Sequence, residues 1–192
     1  MLNKVELKCI DERVKLAKMC LRLFSEKCNI RSTNYPLSRF NVTAKEATEL
    51  TMLQHKNMTT PLIDTYIDTL NSRLGNCNEK SIVCYVTLKT SPVVLMNNHR
   101  ISLVELYGER EDHVFIIIAD EKVIEHQVIN IRDLGNTAVV LDAWMRDWFV
   151  PNTMYCDLKY MDINIPNPNQ FFMRRKVMRT PVIGYEFIRD IT

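Results

Sequence analysis

The stretch GNCNEKSIVCYVTLK, residues 75–89, lies between a part of the chain with a helical pattern of apolar residues and a part rich in β-branched residues. Its two cysteines have different neighbours. Cys84 lies inside the apolar run Ile-Val-Cys-Tyr-Val, which is typical of a small buried thiol. Cys77 has glycine, asparagine and glutamate as neighbours, and these favour a turn over a core. The stretch therefore places a sulfur between a turn and an apolar run.

Two structures compete for the segment SIVCYVTLK. Its β-branched and aromatic residues favour a strand. Asn76 as an N-cap and Glu79 in the first turn favour a helix that begins near Cys77. In the helix, positions 77, 81, 84, 85 and 88 share one face. The local sequence leaves both structures open.

The first third of the chain predicts helices. Apolar residues recur with helical spacing over residues 5–24. Thr43 and Glu46 form a capping-box pattern for a second helix. Pro61 opens a third helix, which Gly75 is placed to stop.

The sequence after residue 75 predicts strands. The runs HRISLVELYG, DHVFIIIAD and NTAVVLDAW are rich in β-branched residues and bounded by charges, glycine and asparagine. Residues 114–118 are continuously apolar, which predicts a central strand buried on both faces. The segment MDINIPNPNQ is typical of a loop, and RRKVMRTPVIGYEFIRD is a candidate for a last strand.

These patterns predict an α+β fold, with N-terminal helices followed by a mostly antiparallel sheet. A chain of 192 residues fits a single catalytic domain. Residues 1–74 would be its helical part, and residues 75–192 a core of helix and sheet.

Composition excludes several classes of protein. The net charge of +2 gives no strong attraction to nucleic acid or membrane. No apolar run approaches the roughly 20 residues of a transmembrane helix, and the N-terminus is too charged for a secretory signal. The six cysteines are Cys9, Cys20, Cys28, Cys77, Cys84 and Cys156, and they show no close pairs of the kind that hold zinc or form a redox dithiol. Cys9, Cys20 and Cys84 lie in helical or apolar contexts, which predict buried thiols. We therefore expect a cytoplasmic protein with no metal and no cofactor.

A cysteine at a helix N-terminus has two advantages as a nucleophile. The helix dipole stabilises its thiolate, and nearby backbone N–H groups can bind an oxyanion. It still needs a base. His55, His99 and His126 lie in polar settings that predict solvated surface residues. His113 instead joins a charged run to the buried strand at residues 114–118, so we expect a rigidly held ring.

Asp142 ends the next apolar run, TAVVLD. If the two runs form adjacent antiparallel strands, the start of one lies beside the end of the other, and His113 and Asp142 become neighbours. A carboxylate in that place orients an imidazole and stabilises its cation. Asp147 is a competing carboxylate, and Asp142 is favoured because it adjoins the apolar run. The alternative is an unreactive Cys77 thiol, with the histidine and the aspartate as ordinary strand-end residues.

The order Cys77, His113, Asp142 resembles that of papain-like and transglutaminase-like thiol enzymes. The motifs are GNCNE at a helix start, DHVFIII opening one strand and VVLDAW ending another. More narrowly, they are similar to the Cys-His-Asp effector enzymes that intracellular bacteria such as Legionella inject into host cells. The resemblance covers residues 74–148. It implies that Cys77 is the nucleophile, His113 the general base and acid, and Asp142 the orienting carboxylate.

The resemblance also implies a function, which is thiol-dependent acyl transfer on protein amide groups. The compact spacing of the triad fits transglutaminase or deamidase chemistry, and a papain-like protease is the alternative. Papain-like proteases place an oxyanion glutamine shortly before the cysteine, where this chain has Asn71. The expected substrate is a host protein, reached by delivery into the host cytosol without a cleavable signal peptide.

A catalytically silent module that binds another protein is the hypothesis from a different class. The helical part and the segment with Trp144 and Trp148 would then dock the partner. In an enzyme, these tryptophans either pack on the core or form an aromatic wall beside the site. A basic cluster near the C-terminus is typical of a solvated face, or else contacts acidic lipid or an acidic partner. Its members are Arg174, Arg175, Lys176 and Arg179.

Overall fold

A computed structural model of the protein describes residues 2–33, 42–57, 60–97, 99–106, 113–120, 128–130, 134–151 and 172–174. Its helices are α1 (Lys4–Leu23), which continues into a π-helical turn (Phe24–Cys28), α2 (Ala44–Asn57), α3 (Leu62–Ser72), α4 (Cys77–Lys89) and α5 (Pro92–Met96). Its strands are β1 (Arg100–Leu106), β2 (Val114–Ala119), β3 (Val128–Asn130), β4 (Val139–Asp142), β5 (Asp147–Phe149) and β6 (Phe172–Arg174). The predicted α+β fold with N-terminal helices is confirmed.

Side-chain caps fix where the first helices begin. The Asn3 side chain accepts hydrogen bonds from two first-turn N–H groups of α1. The capping box predicted for α2 is present: the Thr43 N–H donates to Glu46 Oε2 at 2.8 Å, and the Glu46 N–H donates to Thr43 Oγ1 at 3.3 Å. Each cap satisfies N–H groups that have no partner within the helix.

The prediction that Gly75 stops α3 is wrong. The helix ends at Ser72, and Arg73 takes the left-handed conformation with φ of 55°. The Arg73 N–H donates to the Thr69 carbonyl at 3.0 Å. Gly75 has a different role, because a Cβ atom there would lie 2.7 Å from the Glu79 Cβ. The glycine therefore allows the chain to pass close to the first turn of α4.

The ambiguous segment SIVCYVTLK is helical. In α4 every residue from 77 to 86 is buried, because the helix contacts α1 and α3 as well as β1 and β2. A helix covered on all sides carries apolar residues all round, so its sequence loses the amphipathic period and resembles a buried strand. The helix begins at Cys77, as the capping pattern predicted.

The strands form a six-stranded sheet of order β3-β6-β1-β2-β4-β5 in which every pair is antiparallel. Strands β2 and β4 are neighbours, with Ile116 opposite Leu141 and Ile118 opposite Val139. The predicted adjacency of these two apolar runs is thus confirmed.

Strand β2 is buried along its whole length, as its continuous apolar run predicted. Its alternate side chains belong to two clusters. Val114, Ile116 and Ile118 join the main core with the helices, while Phe115 and Ile117 pack in a second cluster with Val140. Burial on both faces fixes the register of β2, since a slip of one residue would exchange the two sets.

Several predicted features fall wholly or largely outside the described residues. Strand β6 ends at Arg174, the first residue of the predicted last strand, and the rest of that strand lies outside the described part of the chain. The same holds for the proline-interrupted loop, His126, Cys156 and the other three members of the basic cluster. Among the described helices, none combines the length and the apolar character needed to cross a membrane.

Candidate active site

Cys77 is the first residue of α4, and 8% of its surface is exposed. Its place follows from the cap that precedes it, where the Asn76 N–H donates to Glu79 Oε2 at 3.0 Å. The N-terminal end of a helix carries partial positive charge, which favours a thiolate and gives N–H donors for a developing oxyanion. The predicted place at the start of a helix is confirmed, but the expectation that the polar neighbours do not suit a core is wrong, because Asn78 and Glu79 are buried with Cys77.

The loop in front of α4 is hydrogen-bonded to the segment that follows α1. The Gly75 N–H donates to the Arg31 carbonyl at 2.9 Å, and Ser32 Oγ donates to the Gly75 carbonyl at 2.8 Å. The Thr33 N–H donates to Asn76 Oδ1 at 3.2 Å. These bonds hold the start of α4 in one place, so the N-terminal helical region supports the site directly.

Glu79 lies at the centre of a buried polar network and is 1% exposed. Besides the bond to the Asn76 N–H, Glu79 Oε2 accepts from Gln54 Nε2 at 3.1 Å, and Oε1 accepts from Asn78 Nδ2 at 3.1 Å. A buried carboxylate needs such donors. The sequence predicted Glu79 only as a cap, and it missed Gln54 because the two residues lie on different helices.

Ser81 connects α4 to β2, the strand that follows His113. Its Oγ donates to the Val114 carbonyl at 2.8 Å, and both residues are buried. Val114 comes directly after His113, so this hydrogen bond fixes the position of α4 relative to His113. The sequence placed Ser81 on the same helical face as Cys77 but did not indicate this contact.

His113 and Asp142 are neighbours, as the strand pairing predicted. The distance between His113 Nε2 and Asp142 Oδ2 is 2.5 Å. The Asp142 residue is 0% exposed, and its Oδ1 accepts the backbone N–H groups of Trp144 and Met145 at 2.9 Å each. The carboxylate is therefore held from both oxygens and can orient the ring.

The pKa of His113 is raised to about 10, although burial, the largest single influence, acts to lower it. The hydrogen bonds to Asp142 and Cys77, together with the attraction of their negative charges, outweigh burial. Since Nε2 faces the carboxylate, Nδ1 is the ring nitrogen available to the thiol. An imidazolium at neutral pH can stabilise a neighbouring thiolate and later deliver a proton.

The competing carboxylate, Asp147, lies opposite Asp142 across β4 and β5. Its Oδ1 accepts from the Trp148 N–H at 2.9 Å. The close contact with the His113 ring comes from Asp142. Asn71, which occupies the position of the papain oxyanion glutamine, is exposed in the last turn of α3.

The two tryptophans have different surroundings. Trp144 is partly buried, and its ring meets the His113 ring edge-on, with 5.5 Å between the centroids and 66° between the planes. Trp148 packs against the main core, and Lys18 Nζ lies 5.1 Å from the centroid of its ring. Trp148 takes the predicted core role, and the Trp144 ring contacts the His113 ring.

The expectation for His99 is wrong. His55 is exposed, but His99 is only 8% exposed, and its Nε2 lies 4.0 Å from Glu12 Oε2. Burial lowers the pKa of His99, and the buried Arg13 cation lowers it further. His99 is buried by a tertiary contact, because α1 places Glu12 and Arg13 over the polar turn that contains His99.

The cysteines were predicted as buried thiols at Cys9, Cys20 and Cys84. The prediction holds for Cys20 and Cys84, while Cys9 is partly exposed near one end of α1. Cys20 Sγ donates to the Cys84 carbonyl at 3.7 Å, which ties α1 to α4. Over the described ranges, no group of three or more His, Cys, Asp or Glu side chains is arranged to hold a metal ion.

Comparison of the chain with protein-family models, curated proteins and solved structures finds no significant match. The geometry of the site therefore carries the functional argument.

Proposed function

We propose that the protein is a cysteine enzyme that transfers acyl groups from protein amides through Cys77, His113 and Asp142. The observation that carries this proposal is the His113 ring, which is hydrogen-bonded both to a helix-N-terminal cysteine and to a buried carboxylate. A nucleophile, a base and an orienting group in that order form the basis of covalent acyl transfer.

The chemistry follows from this arrangement. The Cys77 thiolate attacks the carbon of an amide group, and first-turn N–H groups of α4 bind the oxyanion. The His113 imidazolium gives its proton to the departing ammonia or amine, which leaves a thioester on Cys77. Water or a lysine amine then attacks the thioester while His113 takes up the proton of this second nucleophile.

Transglutaminase or deamidase chemistry is the preferred form of the proposal. In both, the thiolate attacks the side-chain amide of a glutamine, and the product depends on whether an amine or water attacks the thioester. The compact triad and the exposed Asn71 support this form over a papain-like protease. From the resemblance we further propose a host protein as the substrate and delivery of the enzyme into the host cytosol.

Incubation of the protein with a host-cell extract and a biotinylated primary amine tests the proposal. Mass spectrometry of the extract would report biotinylated glutamines, glutamines converted to glutamate, or new chain termini. The first two outcomes support transglutaminase or deamidase chemistry, and new termini would indicate the protease. Identical products from the Cys77→Ala variant would exclude the triad, and no products from either would favour a binding module.

A further inference from the structure

Lys80 lies at the end of the first turn of α4 and is only 1% exposed. Its Nζ lies 5.8 Å from the centroid of the Phe24 ring. Burial of an ammonium group is costly unless nearby groups compensate its charge. Three positions separate it from Cys77, so the two residues are neighbours along the helix surface. Nothing in the mechanism described above uses this cation.

The charged groups around Lys80 come from its own helix and from the β4–β5 hairpin. Burial is the largest influence and lowers the pKa of Lys80 to about 8, and the Arg146 cation in the hairpin turn acts in the same direction. Asp142, Cys77 and Cys84 act in the opposite direction and favour the ammonium form. Two of these three groups belong to the triad, so the lysine lies within electrostatic reach of both anions of the site.

The charge balance of the site gives the lysine a role. The proposed mechanism uses a thiolate at Cys77, an imidazolium at His113 and a carboxylate at Asp142, so the site it requires holds two anions and one cation. A buried cluster with net charge is unfavourable, and a second cation removes the imbalance. Lys80 is the described cation that is both buried and within electrostatic reach of both anions.

We propose that Lys80 is a positioning residue whose buried ammonium favours the thiolate form of Cys77 and offsets the charge of Asp142. This inference rests on the proposed function, because it assigns to Lys80 an effect on the nucleophile of that site. The lysine does not touch the substrate in this proposal. The lysine sets the fraction of Cys77 that is in the thiolate form at a given pH.

The test is the pH dependence of Cys77 alkylation by iodoacetamide, measured by mass spectrometry of the Cys77 peptide. Lys80→Met removes the cation at similar volume, and Lys80→Arg keeps it. Loss of a cation next to a thiolate raises the thiol pKa. The midpoint, which is the pH at which alkylation of Cys77 reaches half of its maximal rate, should therefore rise by about one pH unit in Lys80→Met. The midpoint of Lys80→Arg should stay near that of the natural protein. Equal midpoints for the two variants would overturn the proposal.

Folding of each variant is checked by circular dichroism, and Lys80→Gln replaces Lys80→Met if the latter does not fold. If neither neutral variant folds, comparison of the natural protein with Cys77→Ser decides the matter. The pKa of Lys80, read from the NMR signal of its side chain, should be higher in the natural protein than in Cys77→Ser, which lacks the thiolate, and equal values would overturn the role of Lys80. Failure of the proposed function is a separate outcome, namely a natural protein whose Cys77 titrates as a free thiol.

Discussion

His113 Nε2 lies 2.5 Å from Asp142 Oδ2, at the place where the start of β2 meets the end of β4. The carboxylate cannot turn away, since its other oxygen accepts two backbone N–H groups. The pair therefore presents one edge of the imidazole to Asp142 and leaves the other for Cys77. This relationship underlies the predictions that follow.

Asp142→Asn should lower turnover while Cys77 stays in place. An amide still forms hydrogen bonds, but it does not stabilise the imidazolium and does not fix the ring tautomer. Loss of the aspartate lowers turnover by about 10⁴-fold in a serine triad, and a smaller loss of roughly 10- to 1,000-fold is expected here because a thiol needs its base less. The measurement is turnover with a glutamine substrate, alongside target binding, which should change little. The melting temperature should fall, because Asp142 also holds the His113 proton in the folded state.

Asp147→Asn is the matched control, because Asp147 lies opposite Asp142 in the same hairpin. It should change neither turnover nor the melting temperature appreciably. Exchange of the two effects would make Asp147 the third member of the triad. If neither substitution matters, the site operates as a dyad.

The stability of the protein should depend on pH through His113. Its pKa is raised from 6.5 to about 10 in the folded state, so the proton is held more tightly after folding. The resulting stabilisation is fully present below pH 6.5 and is lost as the pH rises towards 10. The free energy of unfolding of the natural protein minus that of His113→Gln should therefore be largest near pH 6.

Urea unfolding at a series of pH values gives this difference directly. His55→Gln provides the control for the loss of a histidine, since His55 is exposed. A His113→Gln difference that is flat above pH 6.5 and shrinks as the pH falls below 6.5 would mean that the histidine is neutral in the folded protein.

Gly75→Ala should destabilise the start of α4. The added Cβ would lie 2.7 Å from the Glu79 Cβ and 3.2 Å from Ile30 Cγ2, so the loop or the helix must shift. Overpacking of this kind costs about 1–3 kcal/mol of unfolding free energy. The shift would also move Cys77, so its alkylation should slow.

Gly135→Ala is the control that separates a steric clash of the added Cβ from a general loss of stability. Gly135 has φ of 85°, but a Cβ there meets nothing within 4 Å. The variant should lose stability through backbone strain, by about 1–2 kcal/mol, and leave Cys77 alkylation unchanged. Slow alkylation in both variants would show that the effect of Gly75→Ala is only a general loss of stability.

Activity should not depend on a metal ion. The proposed mechanism uses a thiolate, an imidazole and a carboxylate, each hydrogen-bonded within the site, and it assigns no step to a metal. Exhaustive dialysis against a chelator should leave turnover at its original level. A loss that added zinc restores would replace the triad mechanism with a metal-dependent one.

The sequence predicted that His113 and Asp142 are neighbours because both lie at ends of elements. Apolar runs mark where β2 and β4 begin and end, and antiparallel pairing brings His113 and Asp142 together. The capping residues Asn76 and Glu79 located the start of α4 in the same local way. Such signals are contained in a few consecutive residues.

The rest of the site depends on contacts between distant segments. SIVCYVTLK is a helix buried on all sides, and such burial removes the helical period that would have distinguished it from a strand. His99 lies under α1, although its sequence neighbours are polar. The buried state of Lys80 depends in the same way on packing around α4, which no local pattern records.

The most direct test of the central claim is the rate at which iodoacetamide alkylates Cys77 at neutral pH, compared with a free thiol and with His113→Ala. A thiolate–imidazolium pair predicts much faster alkylation in the natural protein, persisting well below the free thiol pKa of about 8.5. Loss of His113 should return Cys77 to the free-thiol profile. A natural protein in which Cys77 reacts no faster than a free thiol, with a profile that His113→Ala leaves unchanged, would contradict the account.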